Sequence, residues 1–211
     1  MRFIHVADVH WGMVPDADQP WGKDRANDIK STFRAIIEKC RELNVDCLFI
    51  AGDLFHRQPM NRDLQELNYL FGTIPSTHVV IISGEHDRIE PNAALLSFNW
   101  SPNVTWFLKD TPETVYFDDI NTEVYGFSYT TRELREPVLD AIHPEADGHI
   151  HILLAHGGDS EHLPIDSAAL AEAPFDYIAL GHLHKPTELV ERKIVYAGSP
   201  EPLEQSETGP H

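Results

Sequence analysis

The sequence predicts an α/β fold of four layers, two mixed β-sheets packed face to face with helices outside them. Two observations carry this. Residues 1–83 alternate β-type and helical segments, the pattern of βαβ units with parallel strands. Residues 104–197 then hold many short β-type segments with little helix between them, too many for one narrow sheet.

Phe3–Ala7 is the first strand, and the breaker-rich stretch Pro15–Gly22 is a loop. Asp24 opens a long helix in which Ile29, Phe33, Ile36, Ile37, Cys40 and Leu43 recur at three- and four-residue spacing, with Asn44 as its stop. Cys47–Ala51 follows as the second strand. Asn61 caps a second helix through about Gly72, with Leu64, Leu67, Leu70 and Phe71 on its inner face. The strand His78–Ser83 closes the second βαβ unit. Val104–Leu108, Glu113–Phe117 and Thr122–Tyr129 are rich in β-branched and aromatic residues and separated by turn formers, which predicts antiparallel pairing. His149–Ala155, Phe175–Leu180, Thr187–Glu191 and Lys193–Ala197 add further strands, and helix is limited to Thr131–Leu139 and about Ser167–Glu172. There are no internal repeats and no low-complexity segments.

A length of 211 residues with 42% hydrophobic residues suits one globular domain with a sizeable core. No apolar run approaches the roughly 18 residues of a membrane span, and the chain passes from Met1 straight into a strand, so no signal peptide is expected. Cys40 and Cys47 make no disulfide framework, and a reducing cytoplasm is the expected location. The formal charge of −18 is awkward for a nucleic-acid binder, which ordinarily presents a basic surface to phosphates. It reads either as a solubilising acidic surface or as a chain whose basic contacts are supplied by another segment or a partner.

Chemistry-bearing residues follow the strands. Asp8-Val9-His10, Gly52-Asp53-Leu54-Phe55-His56, Gly84-Glu85-His86-Asp87, His156 and Gly181-His182-Leu183-His184 each come just after a β-type run. Side chains at strand ends gather on one edge of a sheet, where open α/β folds place their sites. Asp-x-His and His-x-His put both side chains on one side, because strand alternation has period two. Carboxylates mixed with imidazoles suit two divalent ions, and the Asp53 carboxylate can bridge both. Singly, each motif reads as structure: Asp-x-His arises often by chance, and a lone His156 is ordinarily a hydrogen-bonded core residue. The ordered set is what points to metal. His5, His78, His143, His149, His151, His162 and His211 are assigned structural roles.

On these motifs the chain resembles the calcineurin-like metallophosphoesterases, whose four-layer sandwich is the fold predicted above. Within them it resembles the SbcD-type nuclease subunit of a double-strand-break repair complex. The narrower cues are Gly52-Asp53-Leu54-Phe55-His56, Gly181-His182-Leu183-His184-Lys185-Pro186 and Tyr196-Ala197-Gly198-Ser199-Pro200-Glu201-Pro202-Leu203. The resemblance implies one metal on Asp8, His10, Asp53 and His184, and a second on Asp53, Glu85, His156 and His182. It implies His86 as the catalytic histidine beside the scissile phosphate. His56 stands where Ser/Thr phosphatases carry an aspartate that orients that histidine, which favours the repair nucleases over the phosphatases. Two ions roughly 3.5–4 Å apart, manganese in the repair nucleases, would activate a water and clamp the phosphate oxygens. The implied activity is a 3′ to 5′ exonuclease and single-strand endonuclease.

Glu85 departs from the pattern, which has asparagine there. With Asp8, Asp53 and Glu85 all ionised, three negative charges face the four positive charges of two divalent ions, one more than with asparagine. Glu85 should hold the second cation more tightly, attract phosphate less and raise the pKa of the bridging water. It is a working ligand, a ligand in a slowed site, or a residue turned away. The resemblance further implies a catalytic domain over 1–200, with 201–211 beginning a linker to an absent DNA-contacting capping domain. It also implies DNA and an SbcC-type coiled-coil ABC ATPase as partners, and a homodimer formed near Pro15–Arg34. The alternatives are a small-molecule or cyclic-nucleotide phosphoesterase, and a catalytically impaired scaffold.

Overall fold

The computed structural model describes residues 1–145, 147–207 and 209. β1 (Phe3–Val6), β2 (Cys47–Ala51), β3 (His78–Ile82) and β4 (Val104–Trp106) form a four-stranded sheet in that order, parallel throughout. β5 (Glu113–Phe117), β6 (Thr122–Gly126), β7 (Ile150–His156), β8 (Tyr177–Gly181), β9 (Thr187–Val190) and β10 (Ile194–Tyr196) form the second sheet in the order β5-β6-β7-β8-β10-β9. Its centre is parallel, and its outer pairs, β5·β6 and β9·β10, are antiparallel.

Strand alternation builds the layers. Leu48 and Ile50 of β2 and Val79 and Ile81 of β3 face α1 (Gly22–Leu43) and α2 (Asn61–Gly72), meeting Ile29, Phe33, Leu64, Leu67 and Phe71. Their neighbours Phe49, Ala51, Val80 and Ile82 turn to the other side, against Val124, Ile152, Leu154 and Ala179 of the second sheet. Leu153, Ile178, Leu180 and Ile194 fill the outer face of that sheet, under α3 (Ser167–Glu172), Ile142 and Leu163. The four-layer sandwich stands, with a thin fourth layer.

α1 begins two residues before Asp24 and ends as expected, at Asn44 in the left-handed region (φ 47°), whose N–H donates to the Arg41 carbonyl. In α2 the expected cap, Asn61, is the first helical residue; the chain enters at Met60, whose N–H donates to the Asp63 carboxylate at 3.1 Å. Two further expectations fail. The Val104 segment joins the first sheet parallel to β3, because the long connection 83–103 lets the chain cross over instead of turning back. Thr131–Leu139 is not a helix. Pro137 lacks the N–H a helix interior uses, and Leu134 trades backbone hydrogen bonds with Glu161 and Leu163 instead, leaving a short 3-10 turn at Val138–Ala141.

Residues 201–207, where a linker was expected to begin, lie against the domain. Leu203 is buried in the helix-side core, and Glu201 accepts from Thr32 Oγ1 and pairs with Arg25. His211, assigned a structural role from the sequence, lies outside the described residues.

Candidate metal centre

Every motif ends its strand at one edge of the sandwich, and the backbone is bent to face the side chains inward. Asp8, His10, Asp53 and His182 all have positive φ (52°, 48°, 49° and 96°). Asp and His tolerate this region better than most residues, yet its concentration at four candidate ligands marks a site in which surrounding structure holds the strain. Asp8 N–H donates to the Gly52 carbonyl and His10 N–H to the Asp53 carbonyl, so the first two motifs lock together past the end of β1 and β2. Gly52 and Gly84 are required by crowding. A methyl group at Gly52 would lie in the ring of His156, and one at Gly84 would come within 2.6 Å of His156 Nε2.

The structure brings all seven candidate ligands together. Asp8, His10 and His184 form one trio with donor atoms within 4.8 Å of each other, and Glu85, His156 and His182 form another. Asp53 stands between them, its Oδ2 lying 3.6 Å from His10 Nε2 and 3.6 Å from His156 Nε2. Asp8, His10, Asp53 and His156 are essentially inaccessible to solvent, and Glu85, His182 and His184 are half-buried.

The donor set fits divalent cations. His156 Nδ1–H donates to the Ala51 carbonyl at 2.8 Å, which leaves Nε2 as the inward atom. That Nε2, His10 Nε2 and Glu85 Oε2 are buried without a hydrogen-bond partner. Glu85 Oε2 and His156 Nε2 approach to 2.8 Å without hydrogen-bond alignment. Two such atoms at that distance need a positive charge between them, either a proton on the ring or a cation. Glu85 also reaches His182 Nδ1 at 3.1 Å, so it faces the second trio rather than turning away.

Protonation differs between the trios. Burial raises the Asp8 carboxyl to about 6, against the pull of His156, and burial lowers His10 to about 3. At Glu85 burial acts upward, but the close contact with His156, the hydrogen bond with His182 and the charge of both rings hold its carboxyl far below the usual carboxylate range. At His156 burial acts downward and is outweighed by Asp53 and Glu85, which hold the ring well above its ordinary value; His182 is raised in the same way by Glu85.

The proposed catalytic pair lies alongside. His86 is exposed; its N–H donates to Asp53 Oδ1 at 3.0 Å and its Nδ1–H to the His56 carbonyl at 3.1 Å. The His56 ring stacks on His86 with centroids 5.2 Å apart and reaches His10 Nδ1 at 3.2 Å. The bond that orients His86 therefore comes from the main chain of His56. Both rings line a cleft of about 550 Å³ that also holds Glu85, Arg57, Arg88 and Arg132. A larger cavity, about 960 Å³ under α3, is lined by Leu139, Ile142 and Leu170, with none of the ligand motifs.

Sequence reasoning gave no role to three carboxylates that support the site. Asp87 is fully buried and accepts from Phe55 N–H at 3.1 Å and Gly84 N–H at 2.8 Å, tying two motif loops together. Asp159 meets His182 Nε2 at 2.9 Å, and Glu207 meets His184 Nδ1 at 2.7 Å. Asp87 stood inside a motif and could have been noticed. Asp159 sits on a loop and Glu207 ends a short 3-10 turn, neither with a spacing signal.

Comparisons agree with this geometry. The family model described as calcineurin-like phosphoesterase matches residues 1–186. The DNA double-strand break repair protein Mre11 of Archaeoglobus fulgidus is 30% identical over 95% of this chain and 50% of its own length. The uncharacterized metallophosphoesterase YhaO of Bacillus subtilis is 28% identical over 99% of this chain and 55% of its own length. The chain thus spans about half the length of the curated relatives it matches. The crystal structure of TT1561 of Thermus thermophilus shares the fold, with a TM-score of 0.58 and 10% identity over 94% of this chain and 90% of that one. Among the described residues no helix is long and apolar enough to cross a membrane. By its family match and the cation-shaped site at its strand ends, the chain belongs to the calcineurin-like phosphoesterases, metal-dependent enzymes that hydrolyse phosphoesters.

Proposed function

We propose that the chain is the catalytic domain of a DNA phosphodiesterase, a 3′ to 5′ exonuclease and single-strand endonuclease acting in double-strand-break repair and recombination. The observation that carries this is the meeting of two ligand trios at one carboxylate, Asp53, with His86 and His56 stacked at its mouth. The likeness to Mre11 supports DNA as the substrate. Two divalent ions, manganese being the expected metal, would polarise the phosphate and activate the attacking water. Asp8, His10, Asp53 and His184 would hold one; Asp53, Glu85, His156 and His182 the other.

The chain's own residues supply the rest. His86, fixed through Nδ1–H on the His56 carbonyl, keeps Nε2 for the substrate, where with a second proton the ring would donate to a phosphate oxygen or to the leaving oxygen. Arg57 and Arg132 line the same cleft and, among the described residues, carry no ion pair. They would meet the phosphates of a polyanion despite the charge of −18. On this reading further DNA contacts come from a capping domain, and an SbcC-type ATPase and a second copy complete the complex. Two buried free cysteines suit a cytoplasmic enzyme.

The acidic surface favours one rival, a small-molecule or cyclic-nucleotide phosphoesterase. Manganese-dependent digestion of single-stranded DNA, measured beside bis-p-nitrophenyl phosphate and cyclic nucleotides, separates the two. DNA cleavage is expected; hydrolysis of cyclic nucleotides with DNA untouched would overturn the nuclease reading.

A further inference from the structure

His182 and His184 belong to one short motif, yet they present opposite ring nitrogens to the site. His182 turns Nδ1 inward, 3.1 Å from Glu85 Oε1, and His184 turns Nε2 inward, 4.0 Å from Asp8 Oδ1. The outward nitrogen of each meets a carboxylate from outside the motif: Asp159 Oδ2 lies 2.9 Å from His182 Nε2, and Glu207 Oε1 lies 2.7 Å from His184 Nδ1.

The two carboxylates share one arrangement. Each sets one oxygen on its ligand histidine and the other on nearby backbone N–H groups, and Asp159 Oδ2 also lies 3.0 Å from His162 Nδ1. Asp159 Oδ1 accepts from Glu161 N–H at 2.7 Å and His162 N–H at 2.8 Å. Glu207 Oε2 accepts from Leu203 N–H at 2.7 Å and Glu204 N–H at 3.2 Å. The backbone bonds fix each carboxylate in place, so its other oxygen can fix the ring. Leu203, buried in the helix-side core, anchors the second loop in turn.

A neutral imidazole carries one proton, and a carboxylate beside one nitrogen draws the proton there, leaving the lone pair on the other. We propose that Asp159 and Glu207 are positioning residues for the metal centre, each setting the tautomer and rotation of one histidine. Asp159 acts on the second ligand set through His182 Nδ1, and Glu207 on the first through His184 Nε2. Outer carboxylates of this kind also raise the basicity of the ligand nitrogen. The inference rests on the two-cation reading of the site and is independent of DNA being the substrate.

Mn²⁺ titration of the full chain, with free Mn²⁺ followed by electron paramagnetic resonance, counts bound ions by class. Asp159→Ala should weaken one class about 10- to 100-fold and Glu207→Ala the other. In each variant the second class should stay within about threefold of wild type. Asp159→Asn and Glu207→Gln, which keep an acceptor for the loop and so protect folding, should give the same class selectivity with smaller losses. Imidazole nitrogen NMR of the Zn²⁺-loaded chain should place the ring proton of His182 on Nε2 and that of His184 on Nδ1. Wild-type affinity in both alanine variants, equal weakening of both classes by either one, or the opposite tautomers would overturn the proposal. If the wild-type chain takes two Mn²⁺ yet leaves every DNA substrate intact, the nuclease reading falls and this one stands.

Discussion

The two ligand sets share Asp53 but are electrostatic opposites. Around Asp8 and His10 burial dominates, and it drives the groups neutral: the carboxyl rises to about 6 and the imidazole falls to about 3. Around Glu85, ion pairing overcomes burial and drives the groups charged, with the carboxyl far down and both imidazoles up. Without metal, the first set is a pocket of idle lone pairs, while the second holds protons where a cation would sit. Asp53 raises His156 and Asp159 helps to raise His182, and one side chain acts on both rings. Glu85 reaches both His156 and His182, at 2.8 and 3.1 Å, and an amide there would supply no charge to hold their protons.

If the sets are two halves of one centre, the largest effect comes from the residue they share. Asp53→Ala should abolish both classes of Mn²⁺ binding and take phosphodiester hydrolysis to background. Retention of either class at wild-type affinity would mean the halves are separate sites. His86→Ala tests the division between holding metal and moving protons. Turnover on bis-p-nitrophenyl phosphate should fall about 10²- to 10⁴-fold, with both classes of Mn²⁺ still bound. His56→Ala should cost less, because the bond that fixes His86 comes from the His56 main chain and survives the substitution. A loss equal to that of His86→Ala would give the His56 ring a direct part in the chemistry.

The same contrast explains what could be seen in the sequence. The first three strands were legible almost residue by residue, since Cys47–Ala51 and the start of β3 at His78 follow from apolar runs flanked by helices of clear periodicity. The second half was not. Thr131–Leu139 has helical spacing, but Pro137 and the bonds from Leu134 to Glu161 and Leu163 decide its conformation. The pairing of Val104–Trp106 with β3 depends on a long connection whose path no local pattern encodes. At the site, residues in strand-end motifs could be named in advance because strand geometry gathers them. Asp159 and Glu207 could not, since each reaches its histidine from a connecting segment positioned by tertiary packing.

Proton competition gives a pH signature with a definite sign. His156 and His182 have raised pKa values without metal, so at neutral pH they hold protons that a cation must expel. Affinity of the second set should therefore keep rising with pH through neutrality, by up to about tenfold per pH unit for each proton released. In the first set burial keeps His10 neutral, and the Asp8 proton competes below about 6. Its affinity should rise less steeply with pH above neutrality than that of the second set. Mn²⁺ isotherms from about pH 5 to 9 read both slopes; parallel curves for the two classes would erase the distinction.

The smallest effect expected is at Glu85, and it has two opposing parts. Glu85→Asn removes a negative charge from the second set, which weakens its hold on a cation. It also removes one of the carboxylates that raise His156 and His182, so those rings give up their protons more readily, although Asp53 and Asp159 remain. At high pH, where the protons are already gone, only the first part remains and Mn²⁺ affinity should drop. Near pH 6 the two parts offset each other and affinity should change little. With less negative charge facing the phosphate, turnover at saturating Mn²⁺ should rise by about two- to fivefold. An unchanged or lower rate with both ions bound would make Glu85 a working ligand, its charge matched to the cation it holds.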